Sequence, residues 1–148
     1  MTTVRRSFDH PIDDVFAAVA DPRTYPHWLV GAKAMRAVDP TWPAPGSSFH
    51  HRVGLVGPLT LDDSSSSKEV HAPNLLVLEV RARPIGRAEV RFEVTEPGGG
   101  VTEVAFSEEP IGPARLFTFI AAPLAVIRNR RSLDHLERYL ADPSAEGR

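Results

Sequence analysis

Apolar and polar residues change their spacing twice along the chain, dividing it into three stretches. Thr3–Phe8 alternates weakly and includes a β-branched residue, which predicts a first strand. In the segment that follows, Ile12, Val15, Phe16 and Val19 recur at helical spacing. Pro11 suits a first helical turn, where its missing N–H is not needed. Asp13 and Asp14 stand where the positive end of the helix dipole favours carboxylates. The pattern predicts a short amphipathic helix ending near Asp21-Pro22. A second short helix, Arg23–Val30, carries Tyr25, Trp28 and Leu29.

From Gly31 to Glu109 the period becomes two. Strands are predicted at Ala32–Val38, Ser47–Leu55, Leu59–His71, Leu75–Arg83, Arg87–Thr95 and Val101–Glu108, separated by turn residues such as Gly57-Pro58, Pro73-Asn74 and Gly98-Gly99-Gly100. Short connections without intervening helices predict an antiparallel meander. Leu76, Leu78, Val80 and Ala82 oppose Glu79, Arg81 and Arg83. Ala88, Val90, Phe92 and Val94 oppose Arg87, Glu89, Arg91 and Glu93, and Val104 and Phe106 oppose Glu103. One face is therefore wet and the other covered.

The cover is the last stretch, Pro113–Ala141, about 43 Å long if wholly helical. Phe119, Val126, Leu133 and Leu140 repeat every seven residues, while Leu116, Phe117, Ile120, Leu124 and Ile127 make the first half apolar almost all round. Pro123 should kink or restart the helix. Residues 1–142 read as a single domain and 143–148 as a disordered tail.

Composition narrows the function classes. The 148 residues carry a net charge of −2 and include no cysteine. That balance lacks the basic footprint of a nucleic-acid binder. Disulfides, thiol catalysis and thiolate metal sites are excluded. The longest apolar run, Leu116–Ile127, spans twelve residues and is interrupted by Thr118 and Pro123. A membrane span needs about 20. The reading is a soluble cytoplasmic protein without a transmembrane segment, monomeric or homodimeric.

Several local patterns then carry a likeness. They are Pro11-Ile-Asp-Asp-Val-Phe16 opening the first helix, Asp21-Pro-Arg-Thr-Tyr-Pro-His-Trp28 leading into the second, and Gly46 before the third strand. To these add Ala72-Pro73 before the fifth, Thr102 after a glycine turn, and Asn129-Arg-Arg-Ser-Leu-Asp-His-Leu136 in the last helix. With the order strand, two short helices, six strands, long helix, the chain resembles the helix-grip (START-like, Bet v 1-like) superfamily. Within it, the chain is most similar to the bacterial polyketide cyclase/dehydrase and lipid-transport group. The resemblance implies an α+β fold in which a curved antiparallel sheet of six to seven strands grips the C-terminal helix around an apolar cavity, with the second short helix beside the entrance. It implies no universal catalytic residue. Members bind sterols, lipids, polyketides, hormones or partner proteins.

The candidate site residues follow from phase. Asp62-Asp63-Ser64-Ser65-Ser66-Ser67-Lys68 is polar on both faces of a predicted strand, so in either phase one carboxylate and two hydroxyls point inward. Asp62 and Ser64 are taken for this patch, which either orients a mostly apolar guest or is a frayed hairpin. Glu108 continues the inward phase of Val104 and Phe106. His51 shares the phase of Phe49 and Val53 and, beside His50, cannot chelate one metal with it. No metal site and no cofactor are expected. His51 and Glu108 are the candidates for acid–base work. Tyr25, Trp28, Phe49, Leu78, Phe92, Phe106, Phe117, Ile120 and Leu124 are the candidate apolar lining. No Gly-x-Ser-x-Gly nucleophile motif is present.

The leading reading is binding of a hydrophobic small molecule, such as a polyketide, aromatic metabolite or lipid, in a cavity between the sheet and the last helix. One rival is a cyclase or dehydratase using an inward acid–base pair. Another is a protein-binding module with a filled cavity.

Overall fold

The computed structural model describes residues 2–56, 59–82, 86–113 and 118–142. Seven strands form one sheet: β1 (Thr2–Phe8), β2 (Ala32–Val38), β3 (Ser48–Val56), β4 (Leu59–His71), β5 (Leu75–Ala82), β6 (Gly86–Gly98) and β7 (Val101–Ile111). Their order is β1-β7-β6-β5-β4-β3-β2, with antiparallel pairing throughout. Strands β2 to β7 are a meander in chain order, and β1 closes on β7. The β6–β7 turn needs three consecutive positive φ angles, +140° at Gly98, +67° at Gly99 and +74° at Gly100, which only glycine adopts without strain.

Two short helices, α1 (Ile12–Ala20) and α2 (Tyr25–Trp28), lie between β1 and β2, joined by a 3₁₀ turn at Pro22–Thr24. The last helix, α3 (Thr118–Ala141), continues through Pro123 as a single element, so proline does not break it. Pro113 belongs to a turn ahead of it, and not to the helix as the spacing predicts. The predicted strand end at Arg83 and the tail 143–148 lie outside the described residues.

The alternation places the sheet's faces as the pattern predicts. Leu76, Leu78, Phe92, Val94, Val104 and Phe106 are buried in one core with Val15, Val19, Tyr25, Trp28, Leu133 and Leu136. Burying side chains of this size stabilises by roughly 1.5–3 kcal/mol each. The cover is tied down at its edges. Arg6 of β1 makes ion pairs with Asp134 and Glu137 of α3. The Ser132 hydroxyl accepts from the Val30 backbone N–H at 3.0 Å. His27 stacks on Tyr139 with ring centroids 5.7 Å apart. The result is the helix-grip architecture. No described helix is long and apolar enough to cross a membrane.

Candidate functional site

The interior divides into a packed end and a looser one. At the packed end α1 and α2 plug the sheet. Trp28 is 1% exposed, and its indole N–H donates to Thr24 Oγ1 at 2.9 Å. The Thr24 hydroxyl faces the carbonyls of Ala18 and Asp21, each at 2.8 Å. Tyr25 donates to the Val19 carbonyl at 2.7 Å, and burial pushes its phenol well above the ordinary range. Edge-to-face contacts continue inward: Tyr25–Trp28 at 5.4 Å, Trp28–Phe92 at 6.0 Å and Phe92–Phe106 at 4.6 Å. The resemblance sets the second short helix beside a cavity entrance, while its Trp28 is deep in the packed core. Tyr25, Leu78, Phe92 and Phe106 are buried with it.

Toward the opposite end the inward-facing apolar residues are only partly covered. Val80 and Met35 are half-buried although they share the phase of the core, and so is Ala88, paired with Val80. A cleft of about 330 Å³ opens between β1, β7 and α3, lined by Thr2, Glu108, Pro110, Ala122, Leu124, Ala125 and Arg128. Glu108 is inward, as its phase predicts, and accepts from Arg128 and, at 3.3 Å, from the buried Asn129 amide. Leu124 forms one wall of this cleft but is 66% exposed, so it borders solvent and is not an enclosed lining residue. Phe117 lies outside the described residues, as do the side chains of Asp62 and Ile120.

The polar stretch of β4 enters the interior in the other phase from the one taken. Asp63, Ser65 and Ser67 are 3%, 2% and 2% exposed, while Ser64 is half-exposed on the opposite face. A β-bulge is the reason. The register shifts between Ser67 and Glu69, so Val70, opposite buried Leu76, and Ser67, opposite buried Leu78, both face inward. Counting back from Val70 by twos leads to Ser64 and Asp62, and one inserted residue flips that count. The alternation has no apolar residue between 62 and 69 to reveal the switch.

These groups meet His51, which is 5% exposed. Asp63 is its direct partner across the β3–β4 pair, and Ser65 is the partner of Phe49 two residues away. The His51 Nε2 and Ser65 Oγ lie 2.8 Å apart. The Asp63 carboxylate accepts from the Ser64 N–H at 2.8 Å, and Arg36 of β2 reaches the Asp63 carbonyl at 3.4 Å. Burial pushes the His51 imidazole below its ordinary pKa; the Asp63 carboxylate pulls the other way. Desolvation wins because the charged ring would lose more hydration than one carboxylate returns. Ser67 Oγ is buried without a hydrogen-bond partner among the described residues. Glu108, by contrast, is four strands from His51 in the sheet order, roughly 19 Å along the sheet at about 4.8 Å per step. The two acid–base candidates are therefore not brought into contact. His51 is instead joined with Asp63, Ser65 and the neighbouring Phe49 ring, 5.3 Å away.

Comparison with known proteins sets this arrangement in a wider group. No curated protein matches the chain significantly. Among solved structures, protein NE0264 from Nitrosomonas europaea is 16% identical, with 96% of this chain and 94% of that one covered and a TM-score of 0.73. CalU16 from Micromonospora echinospora is 18% identical, covering 95% and 76%, at 0.65. DynU16, from the dynemicin biosynthetic locus, is 19% identical, covering 98% of this chain and 48% of that one, at 0.68. Identities this low speak to the fold alone. The family model for polyketide cyclase / dehydrase and lipid transport matches residues 1–141. The chain belongs to the polyketide cyclase / dehydrase and lipid transport family.

Proposed function

We propose that this protein binds a hydrophobic small molecule, such as a polyketide, aromatic metabolite or lipid, over the looser end of the concave face beneath the first half of α3. The observation that carries the reading is the gradient of packing. At the α1/α2 end Trp28, Phe92 and Leu136 are sealed, at 1%, 1% and 0% exposure. Val80, Ala88 and Met35 share that face yet remain half-buried. An apolar wall left partly uncovered, with a few polar groups at fixed places, is what a small-molecule site requires. A relative in fold from a biosynthetic locus agrees with a metabolite as guest. On this reading the protein works in the cytoplasm and its oligomeric state is not part of the site.

Titration of N-phenyl-1-naphthylamine, an uncharged apolar fluorophore, tests the proposal. Saturable binding with one site per chain is expected, and Val80→Asp or Ala88→Asp should weaken it at least tenfold without unfolding the sheet. Native mass spectrometry of freshly expressed protein should find a co-purified apolar molecule. Absence of saturable binding, or binding indifferent to both substitutions, would remove the concave face as the site.

A further inference from the structure

The polar strip on β3 and β4 does more than the packing of a ligand asks of it. Its members stand in complementary chemical roles. Ser65 Oγ is 2.8 Å from His51 Nε2, hydrogen-bonding distance for a hydroxyl and the base that would deprotonate it. Asp63 faces His51 across the strand pair, only 3% exposed, with its carboxylate held by the Ser64 N–H. Ser67, two residues along the same strand and on the same face, keeps a buried hydroxyl with no partner among the described residues. Alternate residues of a strand are about 6.7 Å apart. A carbonyl carbon in reach of Ser65 would set its oxygen within reach of the Ser67 O–H. A buried hydroxyl left unpaired costs stability of its own, so a water or a guest's polar atom is the partner it can take.

We infer that Ser65 and His51 form a nucleophile–base couple, with Asp63 as positioning residue and Ser67 as donor to the developing oxyanion, and that the protein hydrolyses esters of hydrophobic acids. This rests on the reading that an apolar guest enters over the concave face. In the tautomer with its proton on Nδ1, neutral His51 takes the Ser65 proton at Nε2. Ser65 Oγ forms a bond to the ester carbonyl carbon, and the carbonyl π pair moves onto the oxygen that Ser67 faces. Collapse breaks the bond to the alkoxide, which leaves with the proton from His51. Water then gives a proton to His51, adds to the acyl carbon, and releases the carboxylic acid as Ser65 recovers its proton. Nothing is oxidised or reduced.

Burial keeps the His51 ring neutral near pH 7, the form a base must have. The charged and titratable groups that bear on it are Asp63 from β4, Arg36 from β2 and His50 beside it on β3. Asp63 favours the imidazolium that forms during attack; Arg36 and His50 oppose it.

The test uses an alkyl fluorophosphonate, in which Ser65 Oγ would bond to phosphorus as fluoride leaves. One phosphonyl group per chain is expected, located at Ser65 by peptide mass spectrometry, together with turnover of p-nitrophenyl butyrate. His51→Gln should slow labelling by about 10²-fold or more, the range of a general base. Ser67→Ala should slow turnover by about 10²-fold, as the loss of one oxyanion donor does elsewhere. The wild-type labelling rate should rise with pH through a midpoint below the ordinary histidine value of 6.5. Asp63→Asn should move that midpoint lower still, because the carboxylate that favours the charged ring is gone. The wild-type profile reads the couple even where a variant does not fold. No label at Ser65, or labelling without a titration in this range, in protein that still binds N-phenyl-1-naphthylamine, would overturn the inference and leave ligand binding standing. Loss of both labelling and probe binding would overturn the two together.

Discussion

Arg128 of α3 closes on Glu108 of β7, an ion pair between residues 20 apart in sequence that ties the helix to the sheet at the edge of the cleft. Glu108 is partly covered and Arg128 is two-fifths exposed, so solvent screens the pair. Glu108→Gln should cost about 1 kcal/mol or less in urea unfolding. The loss should shrink further in 1 M salt. A loss several times larger would mean that the pair anchors α3 and does more than border a cleft.

The boundary between packed and loose interior can be mapped by truncation. Phe92 packs between Trp28 and Phe106, and Leu136 is fully buried. Phe92→Ala should cost roughly 3–5 kcal/mol and Leu136→Ala roughly 2–5 kcal/mol. Val80→Ala, at the half-buried end, should cost about 1 kcal/mol or less. Chemical denaturation of the three variants checks this, and a large loss at Val80 would show that the concave face is packed from end to end.

Thr24 organises the plug through one hydroxyl that serves Trp28, Ala18 and Asp21. Thr24→Val keeps the shape and leaves the indole N–H buried without an acceptor. The expected loss is roughly 1–3 kcal/mol. Fluorescence from Trp28 should shift as its environment loosens. A neutral substitution would assign the cluster's stability to packing alone.

Stability should fall in mild acid through His51. Its folded-state pKa is depressed mainly by burial, so between that value and 6.5 the unfolded chain binds more protons than the folded one. Stability from the neutral ring is complete above about pH 6.5 and is lost as the pH falls toward the depressed folded value. Urea midpoints at pH 7.5 and 5.5 should therefore differ more for the wild type than for His51→Gln. Equal differences would mean that the ring is hydrated in the folded state.

Much of this molecule can be read from spacing. The period-two stretches are the strands, and the inward identities of Phe92, Phe106 and Glu108 follow from their neighbours because one face of the sheet is apolar throughout those strands. The position of Trp28 is harder. A short helix with Tyr25, His27 and Trp28 has too few turns to declare which face is inside, and only its packing against Phe92 answers the question.

What the chain by itself determined is the class of fold: alternation, turn residues and a long apolar last segment leave few arrangements besides a sheet wrapped on a helix. What tertiary structure alone decided is which polar groups meet. His51 and Ser65 are 14 residues apart and come together because β3 and β4 pair in one register. The bulge after Ser67 chooses Asp63, Ser65 and Ser67 for the interior over Ser64. A run of aspartate and serine has no hydrophobic phase to bias that choice, so the register comes from the neighbouring strands, whose apolar residues lose most by facing water.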